Sequence, residues 1–302
     1  MAVWFDISKL PFTTLTCDRL ILSVGTFGTL FLLMKNWAVV FYISKKLGSR
    51  YCVNGDLLSF IMRCQQENFG VKTPRITDPS YGPVITSAIR MGDTEDGEEG
   101  RGFYVEDGGN PEFLTYFLDA ADLSGFGERL ARFGKHALSS YLGFGPIRDM
   151  NDELTDLMGQ SVASKSSFPI LSMGRDIPNG NMKLRDGLLD VDWTIEESQA
   201  YYKRLTDTVR SIAGALNAHY EDNLAYSVLK QVLTAHPLGG CPMGRNADEG
   251  VVDSYGAVFG YPGLYIADGS VMPGPTGANP SLTIGALSDR FAERIIETRK
   301  GV

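Results

Sequence analysis

The sequence contains little cysteine. Only 4 Cys occur among 302 residues, and none of them forms a C-x-x-C pair or follows the spacing of a zinc site. The positions are Cys17, Cys52, Cys64 and Cys241. A disulfide-stapled scaffold is therefore excluded as the basis of the fold, and we expect no metal site. Scattered cysteines in apolar or glycine-rich surroundings favour a reducing, cytoplasmic compartment.

Basic residues are also few. With 28 Lys and Arg against 36 Asp and Glu, the formal net charge is -8. A nucleic-acid-binding surface needs a basic patch, so this balance excludes nucleic acid as a partner. Residues 1–9 lack the positive charge and the apolar run of a signal peptide, so we expect no secretion signal.

An uninterrupted apolar run is missing as well. Residues 20–43 are long enough to span a bilayer, but Lys35 and Asn36 lie in the middle and Gly25 near the start. We predict a fully buried parallel strand over residues 18–24, followed by a helix that begins at Gly25. A membrane-spanning helix is the alternative, and membrane contact is otherwise expected to be peripheral at most.

The remaining patterns predict a mixed α/β fold. Residues 84–91 and 102–106 read as strands of a second sheet, and Asn110–Pro111 begins a helical region. Residues 182–193 read as a hairpin around the turn Asp186–Gly187.

Two further helices are predicted in the second half of the chain. Thr194 and Glu197 have the spacing of a capping box, and the helix after them places Leu205, Val209, Ile212 and Leu216 inward. A strand over residues 264–267 precedes a terminal helix that begins at Pro280. Its inward residues are expected to be Leu282, Leu287, Phe291 and Ile295.

Three segments carry candidate chemistry. His236 opens the run HPLGGCPMG, whose prolines and glycines force an irregular backbone of the kind that functional loops use. Asp268–Gly269 follows a strand, at the sheet edge where open α/β sheets bind ligands. Asn279 and Pro280 end a glycine-rich loop and begin a helix, whose free N–H groups attract negative charge. The other histidines, His136 and His219, are interpreted as structural.

The order of three motifs resembles a known family. HPLGGCPMG, YPGLYIADGSVMPG and GANPSLTIGALSDRFAERII resemble the carboxyl-terminal signature of the glucose-methanol-choline (GMC) oxidoreductases, and within that family the cholesterol oxidases. Upstream, DRLILSVGTFGTLFLL, LGSRYCVNGDLL, GPVITSAIR and GRGFYVEDGGNPEF follow in family order. The resemblance implies an incomplete FAD-binding Rossmann-like domain, residues 1–50 and 236–302, interleaved with an antiparallel-sheet-plus-helices substrate domain over residues 51–235.

The resemblance also implies roles for single residues. His236 and Asn279 match the pair that faces the flavin and the substrate hydroxyl, and Glu106 matches an acid beside the reacting end of the sterol. The implied activity is FAD-dependent oxidation of a secondary alcohol, with a 3β-hydroxysterol as the implied substrate class and Glu106 moving a proton in double-bond isomerisation. The implied cofactor contacts are Asp268, Gly269, Asn279 and Pro280, with Gly25, Thr26, Asn54 and Gly55 as looser matches.

The family's GxGxxG turn is missing from the chain. That turn holds the ADP part of FAD, so the sequence predicts a carboxyl-terminal part that needs a nucleotide-binding half or a second chain. The strands at residues 18–24 and 264–267 would then lack sheet neighbours and expose an apolar face. The alternative is a non-catalytic remnant that binds an apolar ligand or a partner chain.

Overall fold

The computed structural model describes residues 16–36, 43–76, 85–92, 102–108, 166–223, 226–227 and 230–300. Three sequence predictions fall outside these ranges: the helical region from Asn110–Pro111, the assignment of His136, and the first residue of the strand predicted over residues 84–91.

Strands and helices alternate irregularly along the described residues. The strands are β1 (Leu20–Leu22), β2 (Ser49–Tyr51), β3 (Leu57–Met62), β4 (Gln65–Asn68), β5 (Val71–Pro74), β6 (Ala88–Met91), β7 (Phe103–Asp107), β8 (Phe168–Gly174), β9 (Gly180–Arg185), β10 (Leu188–Asp192), β11 (His219–Asp222) and β12 (Leu264–Ile266). The α-helices are α1 (Gly25–Lys35), α2 (Gln199–Ala215) and α3 (Ser281–Lys300), and short 3₁₀ helices cover Glu196–Ser198 and Gly269–Val271. The predicted mixed α/β class is confirmed.

The largest sheet is antiparallel and has the strand order β11-β3-β8-β7-β6. Helix α2 packs on one face of it and buries a continuous apolar layer. Its members include Leu57, Ile61, Phe103, Val105, Ile170, Tyr201, Leu205 and Val209. The two strands predicted around residues 84–91 and 102–106 are confirmed as the neighbours β6 and β7, with Glu106 opposite Ala88.

The predicted hairpin at residues 182–193 is confirmed. Strands β9 and β10 pair antiparallel, with Arg185 opposite Leu188. The turn residues Asp186 and Gly187 have φ angles of 51° and 78°, which is the type I′ geometry that a two-residue hairpin loop favours. Strand β2 pairs with the outer side of β9 and completes a three-stranded sheet.

The predicted capping box is wrong. Helix α2 begins at Gln199, and the Thr194 hydroxyl accepts the N–H of Glu196 at 3.2 Å. This bond closes a local turn that leads into the 3₁₀ helix before α2, so the Thr194 side chain caps the turn and not the α-helix. The apolar side of the helix is as predicted where Leu205 and Val209 are buried.

The terminal helix α3 begins at Ser281, directly after Pro280, as predicted. Phe291 is buried, but Leu282 is 88% exposed, so its predicted inward position is wrong. The buried side of α3 includes Ile284 and Leu287, which pack on the core. Leu282 lies two residues before Ile284, about 200° around the helix, and therefore points away from that side.

Strand β1 pairs in parallel with β12, with Leu20 opposite Leu264. The prediction that β1 is fully buried is wrong, because Leu20, Ile21 and Val24 are 50%, 49% and 57% exposed. Within the described ranges β12 is the one strand that pairs with β1, so neither its other edge nor its outer face is covered. Helix α1 follows with 11 residues, and no described helix has the length and apolar character that a membrane crossing requires.

The division into residues 1–50 with 236–302, and 51–235, stays a prediction. The β1–β12 pair joins the two outer segments, while β2 at the boundary pairs with β9.

Candidate active site

The loop that begins at His236 is held between two other segments. Leu238 exchanges both backbone hydrogen bonds with Cys52, at 3.0 and 3.1 Å. On its other side the N–H of Gly239 donates to the Gly269 carbonyl at 3.0 Å, and that of Cys241 to the Ser270 carbonyl at 2.9 Å. The structure therefore places the histidine loop directly beside the turn that follows β12, although the two were found as separate sequence motifs.

The His236 imidazole contacts a buried carboxylate. Its Nδ1 lies 2.9 Å from Oδ1 and 3.1 Å from Oδ2 of Asp56, a residue with no exposed surface. The hydrogen bond to Asp56 raises the pKa of His236, and the charges of Asp56 and Glu106 act in the same direction, while burial opposes them. Because Nδ1 is engaged, Nε2 is the ring nitrogen left to exchange a proton with a bound molecule.

Glu106 and Asn279 form the second half of the site. Glu106 is 6% exposed on β7, and the Asn279 amide nitrogen donates to its two carboxylate oxygens at 3.0 and 3.3 Å. Asn279 itself is exposed and lies two residues before the first residue of α3. Of the three predicted catalytic residues, Asn279 contacts Glu106 directly, and the negative charge of Glu106 raises the pKa of His236.

Asn54 binds the loop before Asn279 through its side-chain amide. Its amide oxygen accepts the N–H groups of Thr276 and Gly277 at 2.9 and 3.1 Å, and its amide nitrogen donates to the Ala278 carbonyl at 3.0 Å. Asn54 is fully buried. The side chain predicted as a cofactor contact therefore holds the loop that leads to Asn279.

Asp268 joins three local structures. Its carboxylate accepts the Gly25 N–H at 3.1 Å and the Thr29 hydroxyl at 2.5 Å, and it caps the 3₁₀ helix through the Ser270 N–H at 2.9 Å. The Thr26 hydroxyl, also predicted near the cofactor, donates to the Pro237 carbonyl at 2.7 Å. These side chains use their polar groups to bring the start of α1 against the histidine loop and the turn after β12.

Gly55 lies in a turn that is held by hydrogen bonds with Asp176 and Tyr201. Its N–H donates to Asp176 Oδ1 at 2.9 Å, and its carbonyl accepts the Tyr201 hydroxyl at 2.8 Å. The Val53 N–H donates to the second oxygen of Asp176 at 3.1 Å. Gly55, predicted as a cofactor contact, thus faces protein on this side.

Sequence reasoning missed Asp56 and Asp176. Asp56 directly follows the matched pair Asn54–Gly55, and a carboxylate at the end of a tight turn could have been singled out there. Asp176 has no comparable signal, because its partners are 121 and 123 residues away along the chain.

Asp176 makes the stability of the protein depend on pH. Burial raises the pKa of this carboxyl to about 6, and the charge of Asp56 contributes. Between pH 4 and 6 the folded state keeps a proton that the unfolded state loses, so the free energy of unfolding should fall as pH rises, by about 3 kcal/mol in total. In the Asp176→Asn variant this contribution is absent.

Urea unfolding of both proteins from pH 4 to 7 measures the effect. The free energy of unfolding of the wild type, relative to that of Asp176→Asn, should fall with rising pH over this range and stay constant above it. Two parallel curves would show that the carboxyl titrates near its ordinary pKa.

Among the residues that the structure describes, no group of His, Cys, Asp and Glu side chains is arranged to hold a metal ion. Cys52, Cys64 and Cys241 are buried free thiols and Cys17 is an exposed one.

Comparison with known proteins finds a family match for part of the chain. Residues 179–288 match the carboxyl-terminal family model of the GMC oxidoreductases. The chain is 36% identical over 90 residues to a cholesterol oxidase of Acinetobacter baumannii, which covers 30% of this chain and 16% of that protein. It is 48% identical over 60 residues to a cholesterol oxidase of Mycobacterium tuberculosis, covering 20% of this chain and 10% of that protein. A long-chain-alcohol oxidase of Arabidopsis thaliana is 35% identical over 65 residues, 22% of this chain and 9% of that protein.

The fold has a solved counterpart. The pyridoxine 4-oxidase from Mesorbium loti superposes with a TM-score of 0.56 at 17% identity, over 92% of this chain and 51% of that one. The chain thus spans about half the length of this structure, and its matches to the curated relatives span less than a fifth of theirs. Residues 179–288 are thus similar to the carboxyl-terminal domain of the GMC oxidoreductases.

Proposed function

We propose that this chain supplies the substrate side and the flavin-facing loops of an FAD-dependent oxidoreductase that oxidises a secondary alcohol, with a 3β-hydroxysterol as the favoured substrate class. The observation that carries the proposal is that Asn279 contacts the buried Glu106 and that the charge of Glu106 acts on His236, although the three residues come from separate segments of the chain. A base, an amide and a buried acid together suit proton transfer at a hydroxyl group.

FAD fits the donor groups that the site presents. The starts of α1 and α3 both lie against the Asp268–Gly269 turn, since Gly25 bonds to Asp268 and a Cβ on Gly269 would lie 3.3 Å from Ile284. The first N–H groups of a helix lack partners within the helix and carry partial positive charge, which suits an electron-rich ring. The residues that would hold the flavin are Gly25, Thr26, Asp268, Gly269, Asn279 and Pro280, with Asn54 and Gly55 behind them.

When bound, FAD supplies the acceptor for the hydride that leaves the alcohol carbon. In this proposal His236 Nε2 takes the hydroxyl proton, because Nδ1 is held by Asp56. The exposed amide of Asn279 orients the hydroxyl, and its bond to Glu106 fixes the amide plane. The start of α3 stabilises negative charge that develops nearby during the reaction.

The sheet supports an apolar substrate. Leu58, Leu171 and Glu106 lie directly opposite one another on β3, β8 and β7, so their side chains share the face that points away from α2. Phe60 is on the same face, two residues from Leu58, and is buried. One buried acid in an apolar surface suits a molecule with a single hydroxyl on a hydrocarbon body, as in the cholesterol and long-chain-alcohol oxidases that this chain resembles.

The same apolar face supports the rival proposal of a non-catalytic remnant. Such a protein would bind an apolar ligand or a partner chain through this face without turning it over. The two proposals differ in a measurable way: a remnant is stabilised by a sterol but oxidises none when FAD and a nucleotide-binding segment are supplied.

The exposed side of β1 is where we place the nucleotide-binding partner. Leu20 and Ile21 on β1, and Val24 and Phe27 just after it, are between 41% and 57% exposed, and the second edge of β1 is unpaired among the described residues. An apolar edge of this kind suits pairing with a further strand. A GxGxxG-containing segment, or a second copy of the chain, is the proposed occupant.

Flavin retention tests the cofactor proposal. The 302-residue chain is mixed with FAD, alone and together with the GxGxxG-containing half of a GMC oxidoreductase, and flavin absorbance is followed through gel filtration. Stoichiometric flavin in either case, with peroxide or reduced acceptor formed from a sterol, supports an alcohol oxidoreductase. Loss of flavin in both cases, with sterol-dependent stabilisation retained, favours the remnant.

Glu106→Gln should separate two proton-transfer steps. The glutamine keeps the size of the side chain and can still accept a hydrogen bond from Asn279, so the rate of alcohol oxidation should fall less than about tenfold. Isomerisation of the double bond needs a group that acts as acid and base, so its rate should fall by about 10²-fold or more. Product analysis of the flavin-loaded enzyme, with oxidised but unisomerised ketone as the marker, checks this. Equal losses in both steps would assign Glu106 to oxidation as well.

A further inference from the structure

The buried carboxylate of Asp56 binds His236, the residue that takes the proton in the proposed reaction, and the residues just before it. Besides Nδ1 of His236, it accepts the N–H of Ala235 at 2.8 Å, the N–H of His236 at 3.1 Å and the hydroxyl of Thr234 at 2.9 Å. A buried charge is costly unless donors satisfy it, and here His236 and the two residues before it supply the donors.

We propose that Asp56 is a positioning residue for His236: it keeps the proton of the neutral ring on Nδ1, leaves Nε2 free to face the alcohol, and stabilises the imidazolium that forms when Nε2 takes the hydroxyl proton. The catalytic part rests on the proposed function, while the positioning part does not. As the alcohol becomes a ketone, its oxygen would give a proton to Nε2, and bound FAD would accept the hydride from its carbon. Asp56 takes neither the hydride nor the proton.

The geometry fixes the ring in two ways. The same carboxylate binds the backbone N–H and the side chain of His236, so both the position of the residue and the rotation of its ring are set. A carboxylate that only capped the loop would bind its backbone N–H groups alone. The additional contact with the His236 imidazole therefore indicates a role in holding the ring.

Asp56 is itself held rigidly. The turn before it is bound by Asp176 through the N–H groups of Val53 and Gly55, and by Tyr201 through the Gly55 carbonyl. Two residues before Asp56, Asn54 holds the loop that leads to Asn279. One short turn therefore positions His236 on one side and Asn279 on the other.

The charged groups that act on His236 are Asp56, in direct contact, and Glu106, through space; both raise its pKa. In Asp56→Asn the contact charge is lost and only Glu106 remains, so the pKa of His236 should fall. Asp176→Asn is the matched control. It removes a buried carboxylate that binds the same turn but does not contact the imidazole.

Nitrogen NMR of the full chain labelled at histidine tests the positioning. The sequence has 3 His, and His236→Gln identifies the signals of interest. We expect a wild-type ring protonated at Nδ1 when neutral, a lowered pKa in Asp56→Asn, and a smaller change in Asp176→Asn, whose side chain acts on His236 only through the turn that it binds. A neutral wild-type ring protonated at Nε2 overturns the proposal without any variant. An unchanged pKa in Asp56→Asn, or an equal fall in both variants, overturns it as well.

Turnover of the flavin-loaded enzyme tests the catalytic part separately. Asp56→Asn should lower kcat by about tenfold or more and shift the acidic limb of its pH profile to lower pH, in step with the NMR titration. If the NMR shift occurs but kcat and the profile do not change, Asp56 positions a histidine that the reaction does not use. If the wild type oxidises no alcohol, the proposed function fails, and the NMR result still decides whether Asp56 sets the state of His236.

Discussion

Alcohol oxidation by the flavin-loaded enzyme should fall by roughly 10²- to 10⁴-fold when His236 is replaced by alanine, while FAD stays bound. His236 Nε2 is the base of the proposed reaction, and no polar group of the residue contacts the helix starts that would hold the flavin. Steady-state turnover and flavin absorbance of the same samples measure both quantities. Asn279→Ala should cause a loss of similar direction, because it removes the amide that orients the hydroxyl.

The alanine variant also removes a donor from buried Asp56, so a loss of folded protein must be separated from a loss of chemistry. His236→Gln serves this purpose, since its amide can still donate to Asp56. His219→Ala is the control for histidine replacement, because His219 is exposed at the first residue of β11 and belongs to the opposite end of the large sheet. If His236→Gln keeps wild-type turnover, another group removes the proton and the site assignment is wrong.

Features determined by neighbouring residues were predictable from the sequence. The turn Asp186–Gly187 specifies its hairpin through the left-handed backbone of two adjacent residues, and Asn279–Pro280 marks the beginning of α3. The predicted capping box is wrong for a reason that is also local: the Thr194 hydroxyl accepts the nearer N–H group of Glu196.

Features that depend on distant contacts were not predictable. Strand β1 has the composition of a buried strand, but its exposure depends on which strands lie beside it, and a sequence pattern does not count neighbours. In the site, His236 and Asn279 were found because each lies in a contiguous motif. Asp56 was missed because its role depends on a partner 180 residues away.

Gly239→Ala should be among the most destabilising single changes in the protein. Gly239 has a φ of 85°, and a Cβ there would lie 2.0 Å from the backbone carbonyl oxygen of Arg50. Alanine must therefore adopt a disfavoured left-handed conformation and also push apart two backbone segments that Leu238 and Cys52 hold together. We expect the free energy of unfolding to fall by about 3 kcal/mol or more.

Gly187→Ala separates the two causes. Gly187 has a similar φ of 78°, but a Cβ there would meet no atom within 4 Å. This variant pays only for the backbone conformation, so its loss should be about 1 kcal/mol. Urea unfolding of both variants under one condition measures the difference, and the His236 NMR signals report whether the loop has moved. Equal losses would mean that the loop yields at Arg50 without cost, in which case the close packing of the histidine loop does not fix His236 and the carboxylate of Asp56 must do so alone.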